Sequence, residues 1–201
     1  MPRDSDTPSE SKASWRLFCA IELPAHLRAK LKHHIHQLRE AQPDAAASWS
    51  RPENIHLTLK FFGNVGQNRI PNISAALSRA VASDTPFQIR VGGVGVFPRP
   101  SQARVLWIGV LDPTAKLTEL QEAVEQECAT EGFEKEERAY RPHLTIARLR
   151  RPEGARQLAE AHLGLMFEPS ELTVNELVLF RSELSSKGSI YTPLTRHELV
   201  L

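Results

Sequence analysis

A chain of 201 residues is long enough for one large domain or two small lobes sharing a cleft, and its 41% hydrophobic and 24% charged residues are those of a globular protein that buries a core without staples. A formal net charge of +1 excludes a strongly basic, sequence-indifferent duplex binder, whose affinity would come mainly from neutralised phosphates, but leaves room for a local basic cleft. The only two cysteines, Cys19 and Cys128, form no C-x-x-C pair, which argues against a disulfide framework or a cysteine zinc site and fits a reducing cytoplasm.

Residues 1–14 are polar, lack the apolar core of a signal peptide, and read as a disordered tail; no later run approaches the roughly 20 apolar residues that span a bilayer, so no membrane is expected. An apolar strand, Leu17–Leu23, then leads to Pro24, placed where a helix begins because its missing N–H costs nothing in the first turn. Leu27, Leu31, Ile35 and Leu38 recur at helical spacing. A strand over Ile55–Phe62, a helix carrying Ile70, Ile73, Leu77 and Val81, and a strand near Phe87–Phe97 complete the half. The second half repeats the order. Val105–Leu111 is a strand, Asp112-Pro113 reads as an N-cap with Pro at the first helical position, and Leu117, Leu120, Val124 and Cys128 form the buried stripe, which Gly132 ends. A strand over Pro142–Arg148, a helix starting near Pro152 and a strand at Leu172–Phe180 follow, with a last strand at about 189–200. Internal repeats of about 15–98 and 103–182 predict an α+β fold: a single bilobal domain over 15–201, its two pseudo-twofold-related lobes each holding an antiparallel sheet and flanking helices around a central cleft.

The closest match between the halves is His56-Leu57-Thr58-Leu59 against His143-Leu144-Thr145-Ile146. Alternate side chains of a strand share a face, so Ile55, Leu57, Leu59 and Phe61 are expected in a core, with His56, Thr58 and Lys60 on the opposite face. His143 and Thr145 stand likewise against Leu144 and Ile146. Two imidazoles facing each other suit phosphodiester chemistry, because a group with an ordinary pKa of about 6.5 can be neutral in one copy and protonated in the other. The neutral ring takes a proton from the attacking oxygen and the protonated ring gives one to the leaving oxygen, while the threonine hydroxyls donate to the non-bridging phosphate oxygens. No metal is needed. One His-x-Thr on a solvated sheet face would mean little; two at corresponding points of a duplicated chain point to a shared site, with a pair of structural histidines as the alternative.

The segments Trp49–Gly63 (WSRPENIHLTLKFFG) and Tyr140–Arg148 (YRPHLTIAR) resemble the paired signatures of the 2H phosphoesterases, and within them the RNA 2',3'-cyclic phosphodiesterase family, historically called 2'-5' RNA ligases. The resemblance extends over Arg16–Pro24, Gly93–Pro98, Arg104–Val110 and Gly188–Tyr191; Phe62 stands where Leu is usual. It implies a bilobal fold and hydrolysis of a terminal 2',3'-cyclic phosphate to a 2'-phosphomonoester. His56 would be the proton donor to the departing 3' oxygen, His143 the base that activates water, and Thr58 and Thr145 the phosphate holders. It also implies a phosphate role for Arg148, although strict pleating turns that side chain away from His143 unless the strand bulges or ends after Ala147. RNA ends or cyclic nucleotides are the substrates so implied, with no cofactor and a monomeric protein.

Phe18, Trp107 and Tyr191 are candidates for stacking on a nucleobase, with core packing as the alternative; Phe18 and Trp107 look equivalent, each two residues before a small one. Arginines gather at 138, 141, 148, 150 and 151, as a solvated face or a cleft. The run Lys32-His33-His34-Ile35-His36 lacks the i, i+4 histidine spacing of a helical metal site, and Gly92-Gly93-Val94-Gly95 reads as close backbone packing or a bulge rather than a nucleotide loop. The same groove would serve the reverse reaction, 2'-5' ligation of RNA halves. A non-catalytic RNA-end binding module is the reading from another class, and a broken His-x-Thr copy would mark it.

Overall fold

In the computed structural model, which describes residues 14–150, 154–186 and 188–200, nine strands form two antiparallel sheets and four helices cover their outer faces. The polar tail through residue 13, Arg151 of the basic cluster and Pro152 at the expected helix start lie outside the described residues. One sheet has the order β3 (His56–Gly66), β1 (Ser14–Glu22), β8 (Glu176–Ser185), β9 (Gly188–Glu198). The other runs β2 (Ala47–Trp49), β6 (His143–Leu149), β5 (Val105–Leu111), β4 (Phe87–Phe97), β7 (Ser170–Val174). Ser14, assigned to the tail by composition, already pairs with Gly66.

Each sheet draws strands from both halves of the chain. The last strand of the first half, β4, lies beside β5, and β8 of the second half lies beside β1. The expected strand at Leu172–Phe180 is in fact two: β7 pairs with β4, the chain changes sheets at Asn175, and β8 pairs with β1. Both pieces are rich in β-branched and leucine residues, so the break leaves no mark in hydropathy.

The helices follow the apolar stripes. Helix α1 (Ala25–Ala41) buries Leu27, Leu31, Ile35 and Leu38, with Pro24 as its N-cap, whose carbonyl accepts from the Leu27 and Arg28 N–H groups. Helix α2 (Ile70–Val81) buries Ile73, Leu77 and Val81. Helix α3 (Lys116–Thr130) starts later than Asp112-Pro113 suggested, at Ala115 with φ 60°, yet the Asp112 carboxylate still accepts from the Thr118 N–H at 3.0 Å. It ends as read: Gly132 has φ +77°, and its N–H reaches the Ala129 carbonyl while Phe133 N–H reaches Cys128, the reciprocal closure that a left-handed residue permits. Helix α4 (Ala155–Gly164) opens at Gly154, also at positive φ. Helices α2 and α3 pack behind the four-stranded sheet, α1 and α4 behind the other. Strand β1 is buried on both sides: Leu17, Cys19 and Ile21 join the main core, while Phe18 and Ala20 join a small cluster with Val178 and Phe180 on the opposite face.

Candidate active site

Strands β3 and β6 carry the two His-x-Thr segments and come side by side where the lobes meet. Each is held by the segment that precedes the other: Trp49 pairs with Ala147 and the Ser50 N–H donates to the Ile146 carbonyl at 2.9 Å, while the Tyr140 hydroxyl donates to the Thr58 carbonyl at 3.1 Å.

Both strands bulge at the same point. Thr58 lies opposite Ala20 and Lys60 opposite Cys19, which leaves Leu59 unpaired; Thr145 lies opposite Trp107 and Ala147 opposite Leu106, which leaves Ile146 unpaired. An extra residue reverses the alternation beyond it. His56 and Thr58 therefore share the cleft face as expected, but Lys60 does not. It is 4% exposed on the helix side, ion-paired with Glu125 of α3 and bonded to the Glu134 carbonyl at 2.7 Å. Phe61, expected in the core, pairs with Phe18 on the cleft face and is 62% exposed. In the second copy the same reversal buries Ala147 and turns Arg148 to the face of His143 and Thr145, since Arg148 and Thr145 pair with Val105 and Trp107, two residues apart on β5. The condition set by strict pleating for Arg148 is met by the bulge.

The two imidazoles are held alike. His56 Nδ1 donates to the Asn54 carbonyl at 2.8 Å and His143 Nδ1 to the Arg141 carbonyl at 2.7 Å. A carbonyl only accepts, so Nδ1 carries the hydrogen in both rings and Nε2 is left for chemistry. Burial pulls His56 down from the usual histidine value to about 4, against the raising effect of its carbonyl bond. Burial also lowers His143, with the Arg148 charge acting in the same direction and the Arg141 carbonyl opposing it. Both shifts favour the neutral form of the ring.

The aromatic candidates separate. Phe18 is 2% exposed, its ring lying near-parallel to those of His56, at 4.6 Å between centroids, and Phe180, at 5.2 Å. Buried in this way, it supports the imidazole and leaves almost no surface for a nucleobase. Nor is it the counterpart of Trp107: the pairings make Ala20 the equivalent of Trp107 and Val105 that of Phe18. Trp107 is half-buried and lies over Gly95, where any Cβ would fall 2.1 Å from the indole; the Gly92–Val94 stretch beside it is a strand bulge with Gly93 at φ +77°. Tyr191 stands edge-on to His56 at 5.2 Å. Sequence reasoning missed three residues: Phe61; Phe97, edge-on to His143 at 5.1 Å; and Asn54, which holds His56 through its carbonyl and β9 through Nδ2 to the Ser189 carbonyl. The Asn54 position two before each histidine strand, matched by Arg141, was the available signal.

Elsewhere His34 of the histidine run is buried, its Nε2 3.2 Å from His162 Nδ1, and both cysteines are free and buried. Among the described residues no three or more His, Cys, Asp or Glu side chains converge as a metal site, and no helix is long and apolar enough to cross a membrane.

A family model for the 2'-5' RNA ligase superfamily matches residues 24–185. The RNA 2',3'-cyclic phosphodiesterase of Methanothermobacter thermautotrophicus is 38% identical over 180 residues, 89% of this chain and 96% of the relative. That of Archaeoglobus fulgidus is 34% identical over 184 residues, 89% and 97% of the two chains. The crystal structure of E. coli LigT complexed with 3'-AMP superposes with a TM-score of 0.72 at 26% identity, covering 94% of this chain and 99% of the other. The crystal structure of TT0787 of Thermus thermophilus gives 0.72 and 26% over 92% and 97%. With its two lobes and its pair of bulged His-x-Thr strands, this chain belongs to the 2'-5' RNA ligase superfamily.

Proposed function

We propose that the protein hydrolyses the 2',3'-cyclic phosphate at an RNA end, leaving a 2'-phosphomonoester, with His143 as base and His56 as acid. The observation that carries this reading is the matched pair of imidazoles, each with Nδ1–H committed to a backbone carbonyl, which leaves Nε2 for chemistry, and each on a strand face shared with a threonine. The relatives named as RNA 2',3'-cyclic phosphodiesterases, similar over nearly their whole length, support the choice of substrate. Water's oxygen attacks phosphorus and gives its proton to His143 Nε2; the bond to O3' breaks, and O3' takes the proton of His56 Nε2. The two rings exchange protons with solvent before the next turnover. Thr58 and Thr145 donate to the non-bridging oxygens, and Arg148, on the same face as His143, offsets the charge that gathers there. Phe61 offers exposed π surface for the terminal base, with Tyr191 and Trp107 as half-buried alternatives. The machinery is complete in one monomer and works as well in EDTA as without it.

Turnover of a 2',3'-cyclic nucleotide, followed by phosphorus NMR, tests both activity and regiochemistry. His56→Ala and His143→Ala should each lower kcat by about 10²–10⁴-fold. A 3'-phosphate product, or full activity in either variant, would overturn the assignment. Because acid and base exchange roles in reverse, the same groove can join RNA halves through a 2'-5' linkage, and resolving ligated from hydrolysed product measures the partition.

A further inference from the structure

A hollow of about 730 Å³ lies between α1 and the segment Trp49–Glu53. Past Trp49, His36 and Arg39 it continues into a second hollow of about 620 Å³. Together they follow a helix of 17 residues, about 25 Å long. The first hollow is lined by Lys32, Arg39 and Arg51, by Arg28, which also pairs with Glu22 at 3.8 Å, and by one carboxylate, Glu53. In the second the only carboxylate, Glu40, pairs with His36 at 3.2 Å. In a protein of net charge +1 this is a local concentration of positive charge, set in a concave surface rather than spread over a convex helix face. The half-buried indole of Trp49 stands in the wall where the two hollows meet.

The groove's wall leads along the chain into the strand that carries His56. The wall runs from Trp49 to Glu53 and into Asn54, whose carbonyl holds the His56 ring, and Ser50 within that wall bonds the Ile146 carbonyl next to Thr145. We propose that this groove binds the sugar–phosphate backbone of the single-stranded RNA that precedes the cyclic end, with Trp49 as a stacking surface. The inference rests on the cyclic-phosphate reading above and extends it: the protein grips the body of an RNA and does more than recognise its terminal nucleotide. A run of phosphates against cations with one aromatic wall is the sequence-tolerant way single strands are held.

The test separates this groove from the catalytic site. Fluorescence anisotropy reads the binding of a labelled single-stranded RNA of about eight nucleotides ending in a 3'-hydroxyl, which needs no chemistry. Charge reversal at two exposed positions, Lys32→Glu with Arg39→Glu, should weaken binding at least about tenfold at low salt and flatten the log–log salt dependence by about 0.7 for each phosphate no longer neutralised. The same double variant should turn over 2',3'-cyclic AMP at the wild-type rate, which also reports that it is folded. Equal affinity and equal salt slope in variant and wild type overturn the groove while leaving the catalytic reading intact. Salt-dependent binding that disappears in the variant, with no cyclic-phosphate turnover by the wild type, supports the groove and overturns the chemistry.

Discussion

Which nitrogen of an imidazole carries the hydrogen decides what the ring can do, and in both His56 and His143 a carbonyl two residues upstream makes that choice. The neutral ring presents a lone pair at Nε2 and the protonated ring presents a proton there, so one geometry serves base and acid. The lowered pKa values favour the neutral form of both, which suits His143 as base at once. His56 as donor needs a proton that the free protein does not favour, since burial lowers its pKa to about 4. An anionic phosphate beside the ring stabilises the imidazolium and raises that value in the complex. The alkaline limb of kcat, which reports the complex, should then lie at higher pH than the alkaline limb of kcat/KM, which reports the free protein. Coincident limbs would take the donor role from His56. Arg148 acts on the other ring: its charge lowers His143, so Arg148→Ala should raise the His143 pKa of the free protein in an NMR titration. It should also cost about 10²–10³ in kcat, because the phosphate charge then goes unmatched. A His143 value unmoved by the substitution would put the guanidinium out of reach of the site.

At the scale of the strand, alternation of apolar and polar residues carried the reading only as far as the bulge. His56 with Thr58, and His143 with Thr145, lie before the extra residue and were legible. Lys60, Phe61 and Arg148 lie beyond it, on the reverse of the face that strict pleating assigns. Leu59 and Ile146 are ordinary strand residues, with no glycine or proline to announce an insertion; only the paired register reveals them. The bulge in β3 has an energetic counterpart in the buried Lys60–Glu125 pair, which ties the strand to α3, with Gln121 and the Glu136 N–H completing the carboxylate. Removing one partner strands a charge in the interior, so Lys60→Met should destabilise by about 3–5 kcal/mol. Lys60→Met with Glu125→Leu removes both charges and should recover much of that loss, read as the urea midpoint. A double variant that loses the sum of the two single effects would show the pair to be uncoupled.

For the whole molecule, hydrophobic periodicity and the internal repeat made the elements, their order and the two-lobed outline readable, but not which strands lie together. The exchange of β4 and β8 between sheets rests on pairing between residues far apart in the chain, such as Phe18 with Phe180, and no local pattern encodes it. Pairing at that distance also brings histidines into buried, neutral positions: His34 donates from Nε2 to His162 Nδ1, and His162 Nε2–H donates to the Gly95 and Trp107 carbonyls. Burial lowers His34 to about 4, with the charge of His162 acting in the same direction, and also depresses His162, His197, His56 and His143. Because these groups bind protons more weakly in the folded protein than in the unfolded chain, the unfolded chain takes up more protons over the window between about 6.5 and 4. Stability is therefore full above that window and falls as pH drops through it. The unfolding free energy from urea titrations should decline from pH 6.5 to 4, by a few kcal/mol in all at about 1.4 kcal/mol per unit of depression in a fully buried ring. In His34→Gln the amide still donates to His162 yet never acquires a charge, so its acid-unfolding midpoint should move to lower pH. A wild-type urea midpoint that stays flat down to pH 4 would mean that these rings accept protons in place, and the two lobes would then owe nothing to keeping them neutral.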